Sequence, residues 1–392
     1  MGRNILKRLF AVILSAAILC TNVVFAEEEK ENKIGEQAKS VVLMEASSGT
    51  IIYSNNEEEK LSPASITKIM TLILIFDGIH SGKIKLDEMA TTSAYAKSMG
   101  GSQVFLEEGE QQTVETLIKC IIIASGNDAS VTMAELIAGS EEEFVRMMNE
   151  RAKKLGMNDT HFVDCCGLTD SDEHYTSAKD VAIMSRELIT KYPEIFQYST
   201  IWMESITHKT KKGESEFVLS NTNKLLKTNQ YVKGLKTGST SKAKYCVSTV
   251  AEKNGVELIA VVMAAPDYKT RFTEAEKLIN YGFSNCKVYK DEDKHEKEVR
   301  IVNGKKDFVK TKSMGFSYVD TSGNDLSKVK SNILWNEKIT APVQKGDVLG
   351  KIEYSFNGKV IGNTNIIAEE SVKKADYLYQ FIRMLSFMVQ IR

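Results

Sequence analysis

Two pairs of β-rich runs at opposite ends of a helical middle constrain the fold of this chain more than any other feature. Ser40 to Met44 and Thr50 to Tyr53 are joined by Ala46-Ser47-Ser48-Gly49. Tyr245 to Ala251 and Val256 to Ala264 flank Asn254-Gly255, the strongest short hairpin signal in the sequence. Between the pairs, Ile66 to Phe76 has helical spacing, and so does Thr113 to Ala124, with Leu117, Cys120, Ile121 and Ala124 on one face. Ser140-Glu141-Glu142-Glu143 has the form of a capping box, and the helix it opens should stop near Gly156. Strands on either side of such a middle imply one antiparallel sheet with helices packed on it, an α+β fold.

At 392 residues the chain exceeds the size at which one core stops growing, so two domains are expected. Residues 1–26 have the basic start and short apolar run of a cleaved secretion signal, and the acidic, lysine-containing residues 27–39 read as a flexible leader. Residues 40–286 form the first domain. A charged stretch from Lys287 to Arg300 then opens short β-like runs broken by glycines, which predicts a small β-sandwich over 287–367. Residues 368–392 close the chain as an amphipathic helix. From Ala375 onward it is mostly apolar, with Asp376, Gln380, Arg383 and Gln390 on a narrow polar stripe and Lys373, Lys374, Arg383 and Arg392 placed to meet anionic headgroups. That pattern suits lying in a membrane surface, with docking on the protein's own domains as the alternative.

A formal net charge of −1 gives no indication of a nucleic-acid partner. Apart from Cys20, the cysteines are 120, 165, 166, 246 and 286, an odd number without a C-x-x-C pair. Buried free thiols are expected, and neither a disulfide framework, a zinc site nor any cofactor is implied.

Chemistry concentrates in three short motifs. Ser65-Ile66-Thr67-Lys68 stands just after Pro63 at a predicted helix start, Ser125-Gly126-Asn127 lies at a turn between helices, and Lys236-Thr237-Gly238 lies on a strand at the sheet edge. Positions three apart on a helix share a face, so Ser65 and Lys68 can point into one site. A lysine acting as base near neutral pH must lose about 4 kcal/mol of its preference for the proton. Burial and a second cation, with Lys236 as the candidate, act in that direction. Ser125 can relay a proton to a leaving amine, and the Asn127 amide suits gripping a peptide backbone. The backbone N–H groups of Ser65 and Ser239 are the candidates for an oxyanion hole.

The three motifs in this order resemble the pattern of penicillin-binding proteins and class A β-lactamases. Thr160-His161-Phe162 leading to Gly167-Leu168, Asn221-Thr222-Asn223-Lys224-Leu225-Leu226, and Glu276-Lys277-Leu278 to Tyr281-Gly282-Phe283 are further similar to segments of the low-molecular-mass penicillin-binding proteins that are serine-type D-alanyl-D-alanine carboxypeptidases. The resemblance covers about residues 38–285. It implies a β-lactamase-like transpeptidase fold and removal of the terminal D-alanine from peptidoglycan stem peptides through an acyl-serine. It also implies acylation by β-lactams and a place on the outer face of the cytoplasmic membrane or in the wall. By it, Ser65 is the nucleophile, Lys68 its base, Ser125 and Asn127 the second motif, Lys236, Thr237 and Gly238 the substrate-holding strand, and Arg271 a ligand for the terminal carboxylate. Gly126 stands where the S-D-N motif of that pattern has aspartate, which favours the carboxypeptidase over a class A β-lactamase, and no Glu-x-x-Leu-Asn follows the second motif. A D,D-endopeptidase and a non-catalytic wall-binding scaffold are the remaining alternatives.

Overall fold

The structure is a computed structural model that describes residues 34–390 except 212 and 292–296. The predicted signal peptide and residues 27–33 of the predicted leader lie outside the described residues. The rest of that leader is docked, in contrast to the expected flexibility. The Gly35 N–H donates to Glu274 Oε2 at 2.6 Å, the Tyr53 hydroxyl donates to the Ile34 carbonyl, and Ala38 is buried.

One antiparallel sheet organises the first domain. Its order is Ile51–Asn55, Ser40–Glu45, Val256–Ala265, Lys244–Lys253, Val232–Thr240, so the two predicted hairpins meet edge to edge through Ser40–Glu45 and Val256–Ala265. Asn254 and Gly255 both have positive φ (53° and 79°), as a two-residue hairpin turn whose twist matches its strands requires. Successive strand residues face opposite ways. Val42, Met44, Ile259 and Val261 join the core under the helical middle, while Val41, Leu43, Leu258 and Val262 join a second core beneath the helix Tyr268–Asn285.

The helical middle follows its sequence signals closely. Thr113 caps the helix Val114–Ile122, its hydroxyl accepting from the Thr116 N–H, and Leu117, Cys120 and Ile121 are buried. Ser140 caps the helix Glu141–Leu155 and Gly156 ends it in the left-handed region. At the centre, ten of the thirteen residues of the helix Lys68–His80 are buried, so this helix runs through the core rather than lying on it.

In the small domain, a five-stranded antiparallel sheet (Lys297–Arg300, Phe308–Ser313, Lys359–Ala368, Val348–Phe356, Lys330–Trp335 in spatial order) is faced by the ribbon Lys287–Asp291 with Phe316–Asp320. Phe316 stacks on Tyr354 with ring centroids 4.0 Å apart and joins the two layers. The final helix spans Tyr377–Gln390. Residues just before it belong to the small domain, since Val372 exchanges backbone hydrogen bonds with Val343 and is buried, which shortens the predicted tail segment of 368–392. Among the described residues no helix is long and apolar enough to cross a membrane.

Candidate active site

Ser65 lies in a single 3₁₀ turn, Ala64–Thr67, that feeds directly into the helix Lys68–His80. Ala64 has φ +48°, a left-handed conformation unusual for a residue with a Cβ, and strain of this kind gathers at functional sites. Ser65 is half-buried, whereas Lys68 is wholly enclosed. The Lys68 Nζ lies 3.0 Å from Ser65 Oγ and donates to Asn127 Oδ1 at 2.6 Å and to the Cys166 carbonyl at 2.7 Å. Those last two atoms can only accept. A neutral amine spends its two protons on them and leaves its lone pair toward Ser65 Oγ.

Burial lowers the Lys68 pKa from its ordinary value, against the opposing pull of the nearby thiols of Cys166 and Cys165 and the carboxylates of Asp164 and Asp128. Lys236, also fully enclosed, is held well below its ordinary value by burial first and then by the charges of Lys68 and Arg271. The repulsion expected from Lys236 thus comes second to burial and falls on Lys236 itself.

The second motif sits at the start of the helix Asn127–Ala138. Ser125 has φ +64°, and its buried Oγ has no hydrogen-bond partner among the described residues. Gly126 leaves room that the Asp128 carboxylate uses: a Cβ there would come within 3.0 Å of Asp128 Oδ1, which with Oδ2 accepts from the Val104 and Leu106 N–H groups. The Asn127 carbonyl accepts from Lys68, and one N–H of its amide donates to the Gly100 carbonyl at 2.7 Å, so its contacts also hold the lysine and the neighbouring loop.

The third motif lies on Val232–Thr240. A Cβ on Gly238 would approach the Ser65 nitrogen to 2.9 Å and the Pro63 carbonyl to 2.8 Å, so only glycine lets the strand press against the turn Ala64–Thr67. The same closeness puts the Ser65 N–H beside the strand that carries the exposed Ser239. Thr237 Oγ1 donates to Thr222 Oγ1 at 2.7 Å. Arg271 is buried near the start of the helix Tyr268–Asn285 and donates through Nη1 to the Gly238 carbonyl at 3.2 Å, its Nε without a partner among the described residues. In this state it braces the strand from behind through a main-chain contact.

Residues that the motifs do not contain complete the site. Asp164 accepts from the N–H groups of Cys166 and Thr169 and from Gly167, folding residues 164–169 into a compact loop that delivers the Cys166 carbonyl to Lys68. Gly167 has φ +76°, and a Cβ there would stand 1.8 Å from the Ala64 carbonyl, so the loop seats directly on the turn Ala64–Thr67. His174 accepts from the Val163 N–H at Nδ1, which leaves its Nε2–H for Thr67 Oγ1 at 2.8 Å, and burial lowers its pKa, consistent with a neutral ring. Gly167-Leu168 was visible as a family-like segment, whereas a backbone carbonyl carries no sequence signal.

A mixed sheet-and-helix fold with these residues gathered at one sheet edge defines the penicillin-binding class of proteins. A family model described as D-alanyl-D-alanine carboxypeptidase matches residues 26–267, and one for the penicillin-binding protein 5 C-terminal domain matches 283–374. D-alanyl-D-alanine carboxypeptidase DacF of Bacillus subtilis is 40% identical over 95% of this chain and 96% of its own. Among solved structures, penicillin-binding protein 5 of Haemophilus influenzae is 33% identical, with a TM-score of 0.67 over 87% of this chain and 98% of its own. Penicillin-binding protein D2 of Listeria monocytogenes, solved in an ampicillin-bound form, is 30% identical with a TM-score of 0.53 over 63% of this chain and 97% of its own. The chain belongs to the serine-type D-alanyl-D-alanine carboxypeptidases of low molecular mass. The β-lactamase, endopeptidase and non-catalytic alternatives are not favoured.

Proposed function

We propose that Ser65 Oγ attacks the carbonyl between the two terminal D-alanines of a peptidoglycan stem pentapeptide while Lys68 takes its proton, releasing D-alanine and leaving an acyl-serine that water hydrolyses. The observation that carries this reading is the hydrogen-bond arrangement of Lys68, a buried amine with both protons committed elsewhere and its third direction on the serine oxygen. Ser125, whose Oγ has no partner among the described residues, passes a proton to the departing amine. The N–H groups of Ser65 and Ser239 receive the oxyanion. Lys236 and Thr237 face the substrate carboxylate, Gly238 keeps the strand close, and Arg271 acts on that carboxylate through the strand it braces. Asn127 serves chiefly by fixing Lys68.

β-Lactams share the reactive geometry of the D-alanyl-D-alanine terminus and acylate the same serine. Intact mass after incubation with penicillin is expected to show one adduct, lost in Ser65→Ala, together with D-alanine release from a pentapeptide ending in D-Ala-D-Ala. An adduct that persists in Ser65→Ala overturns the assignment.

For location, the reading is an exported enzyme held on the outer face of the cytoplasmic membrane by Tyr377–Gln390. Support comes from how that helix is mounted. Asp376 pairs with Lys305 at 2.6 Å, Arg383 with Asp307, and the Tyr379 hydroxyl donates to the Lys305 carbonyl, so the polar side meets the small domain. Tyr377, Leu378, Phe381, Ile382, Met384 and Leu385 remain exposed on the other side.

A further inference from the structure

Glu141, Cys165 and Cys166 offer one oxygen and two sulfur atoms that all lie within 4.8 Å of one another, the one such group of three metal-ligating side chains among the described residues. The catalytic steps above use neither thiol. Both cysteines are free and fully buried. Glu141 is half-buried at the first turn of its helix, where Oε1 accepts from the Cys165 N–H at 3.0 Å and Oε2 from the Tyr95 hydroxyl at 2.6 Å. A cavity lined by Tyr95, Glu135, Glu141, Glu142 and Val163 opens beside that carboxylate. Its lining is acidic through Glu135, Glu141 and Glu142, which draws cations to the Glu141 carboxylate.

We propose that Glu141, Cys165 and Cys166 bind a thiophilic divalent cation, and that the bound cation slows acylation of Ser65. Two sulfurs and one oxygen suit a borderline-soft ion such as Zn²⁺ or Cd²⁺ and disfavour Mg²⁺ or Ca²⁺, which seek oxygen. Each thiol gives its proton to solvent as its sulfur–metal bond forms, the carboxylate supplies the third bond, and water from the cavity fills the fourth position of a tetrahedral shell. A Glu carboxylate has about four acceptor positions, so Glu141 can ligate while keeping its bonds to Cys165 and Tyr95.

The inhibitory half rests on the proposed role of Lys68, and the binding half does not. The Cys166 carbonyl receives the Lys68 amine, and the Cys165 carbonyl receives the Thr71 hydroxyl one helical turn further along the nucleophile helix. Both peptide groups sit on the residues whose sulfurs would be drawn to the metal. Closing the sulfurs onto one ion turns this dipeptide, and the carbonyl that orients Lys68 turns with it.

The test titrates the full chain with Cd²⁺, under a non-thiol reductant, and follows the ultraviolet sulfur-to-metal charge-transfer band. Acylation by a labelled penicillin is measured in parallel with and without Zn²⁺. One Cd²⁺ is expected per chain, with release of two protons. Cys165→Ala and Glu141→Gln should each weaken binding by more than about tenfold, the cost of losing even a supporting residue at a metal site. Zinc should slow wild-type acylation at least severalfold and leave Cys165→Ala unaffected, while both variants acylate normally without metal. A missing band, or one unchanged in Cys165→Ala, overturns the site. A cation bound through Cys165 with acylation unchanged overturns the coupling to Lys68. Failure of acylation in metal-free wild-type protein with the band intact overturns instead the proposed function of Ser65 and leaves the cation site standing.

Discussion

The helix Lys68–His80 and the helix Tyr377–Gln390 are both rich in large apolar side chains, yet they are used in opposite ways. The first is enclosed on nearly all sides, so its apolar residues fix the position of a polar pair, Ser65 and Lys68, at its start. The second turns Tyr379 and Arg383 onto Lys305 and Asp307 and leaves Leu378, Phe381, Ile382 and Leu385 outside. Hydrophobicity in a helix therefore says that something must cover it and does not say what. For the first helix the cover is the protein itself, and it supplies the water-excluded setting in which an amine keeps its lone pair.

The comparison can be broken most forcefully at Lys68. Arginine there stays charged and cannot act as a base, so Lys68→Arg is expected to lower the penicillin acylation rate by about 10³-fold, within the span attributed to general-base catalysis. In the wild type, burial lowers the Lys68 pKa, and only the deprotonated form serves. Acylation should consequently be fastest above that lowered pKa and fall as pH drops through it. A pH–rate profile flat on the acid side contradicts the role.

A pair of phenylalanines sharpens the contrast in stability. Phe76, 1% exposed and stacked on Tyr192, should cost about 3–5 kcal/mol when cut to alanine, read from the denaturant midpoint of unfolding. Phe381, 56% exposed, should leave that midpoint unchanged within error and weaken sedimentation with anionic vesicles. Equal losses of stability would mean that the final helix is packed as the first one is.

Removing residues 376–392 tests the same point on a whole element. Expected is a folded protein with unchanged acylation that no longer sediments with vesicles, and unchanged sedimentation would refute the anchor. The cut must fall after Ala375, because Val372 and the Ala375 N–H bond to Val343 and Asn303 in the small domain. The smallest effect is expected from Asp307→Ala. It frees Arg383 from an exposed pair of little worth, so the melting temperature and vesicle binding should both stay as they are.

Much of the catalytic domain is legible in the sequence. Ser40 to Met44 and Val256 to Ala264 read as strands because they are β-rich runs, and Asn254-Gly255, Ser140 and Thr113 act through bonds within a few residues of themselves. Ser65 and Lys68 are legible for the same reason, since three residues along a helix start fixes their approach. The C-terminal polar stripe was legible too, although which side of it would face the protein was not.

Chain-distant contacts were the part that only the tertiary structure decided. That the Asn127 carbonyl meets Lys68 and its amide meets Gly100 follows from packing of the second motif against both. Arg271 could reach a ligand or a strand, and burial behind Gly238 put its Nη1 on the strand. The Cys166 carbonyl is a backbone group common to every residue, so its role on Lys68 has no letter in the sequence and exists only because Asp164 and Gly167 fold that loop onto the nucleophile turn. Local periodicity and spacing are properties of one segment, and the sequence alone determines them. Which buried groups satisfy one another depends on segments about a hundred residues apart arriving at the same few ångströms, and packing decides that.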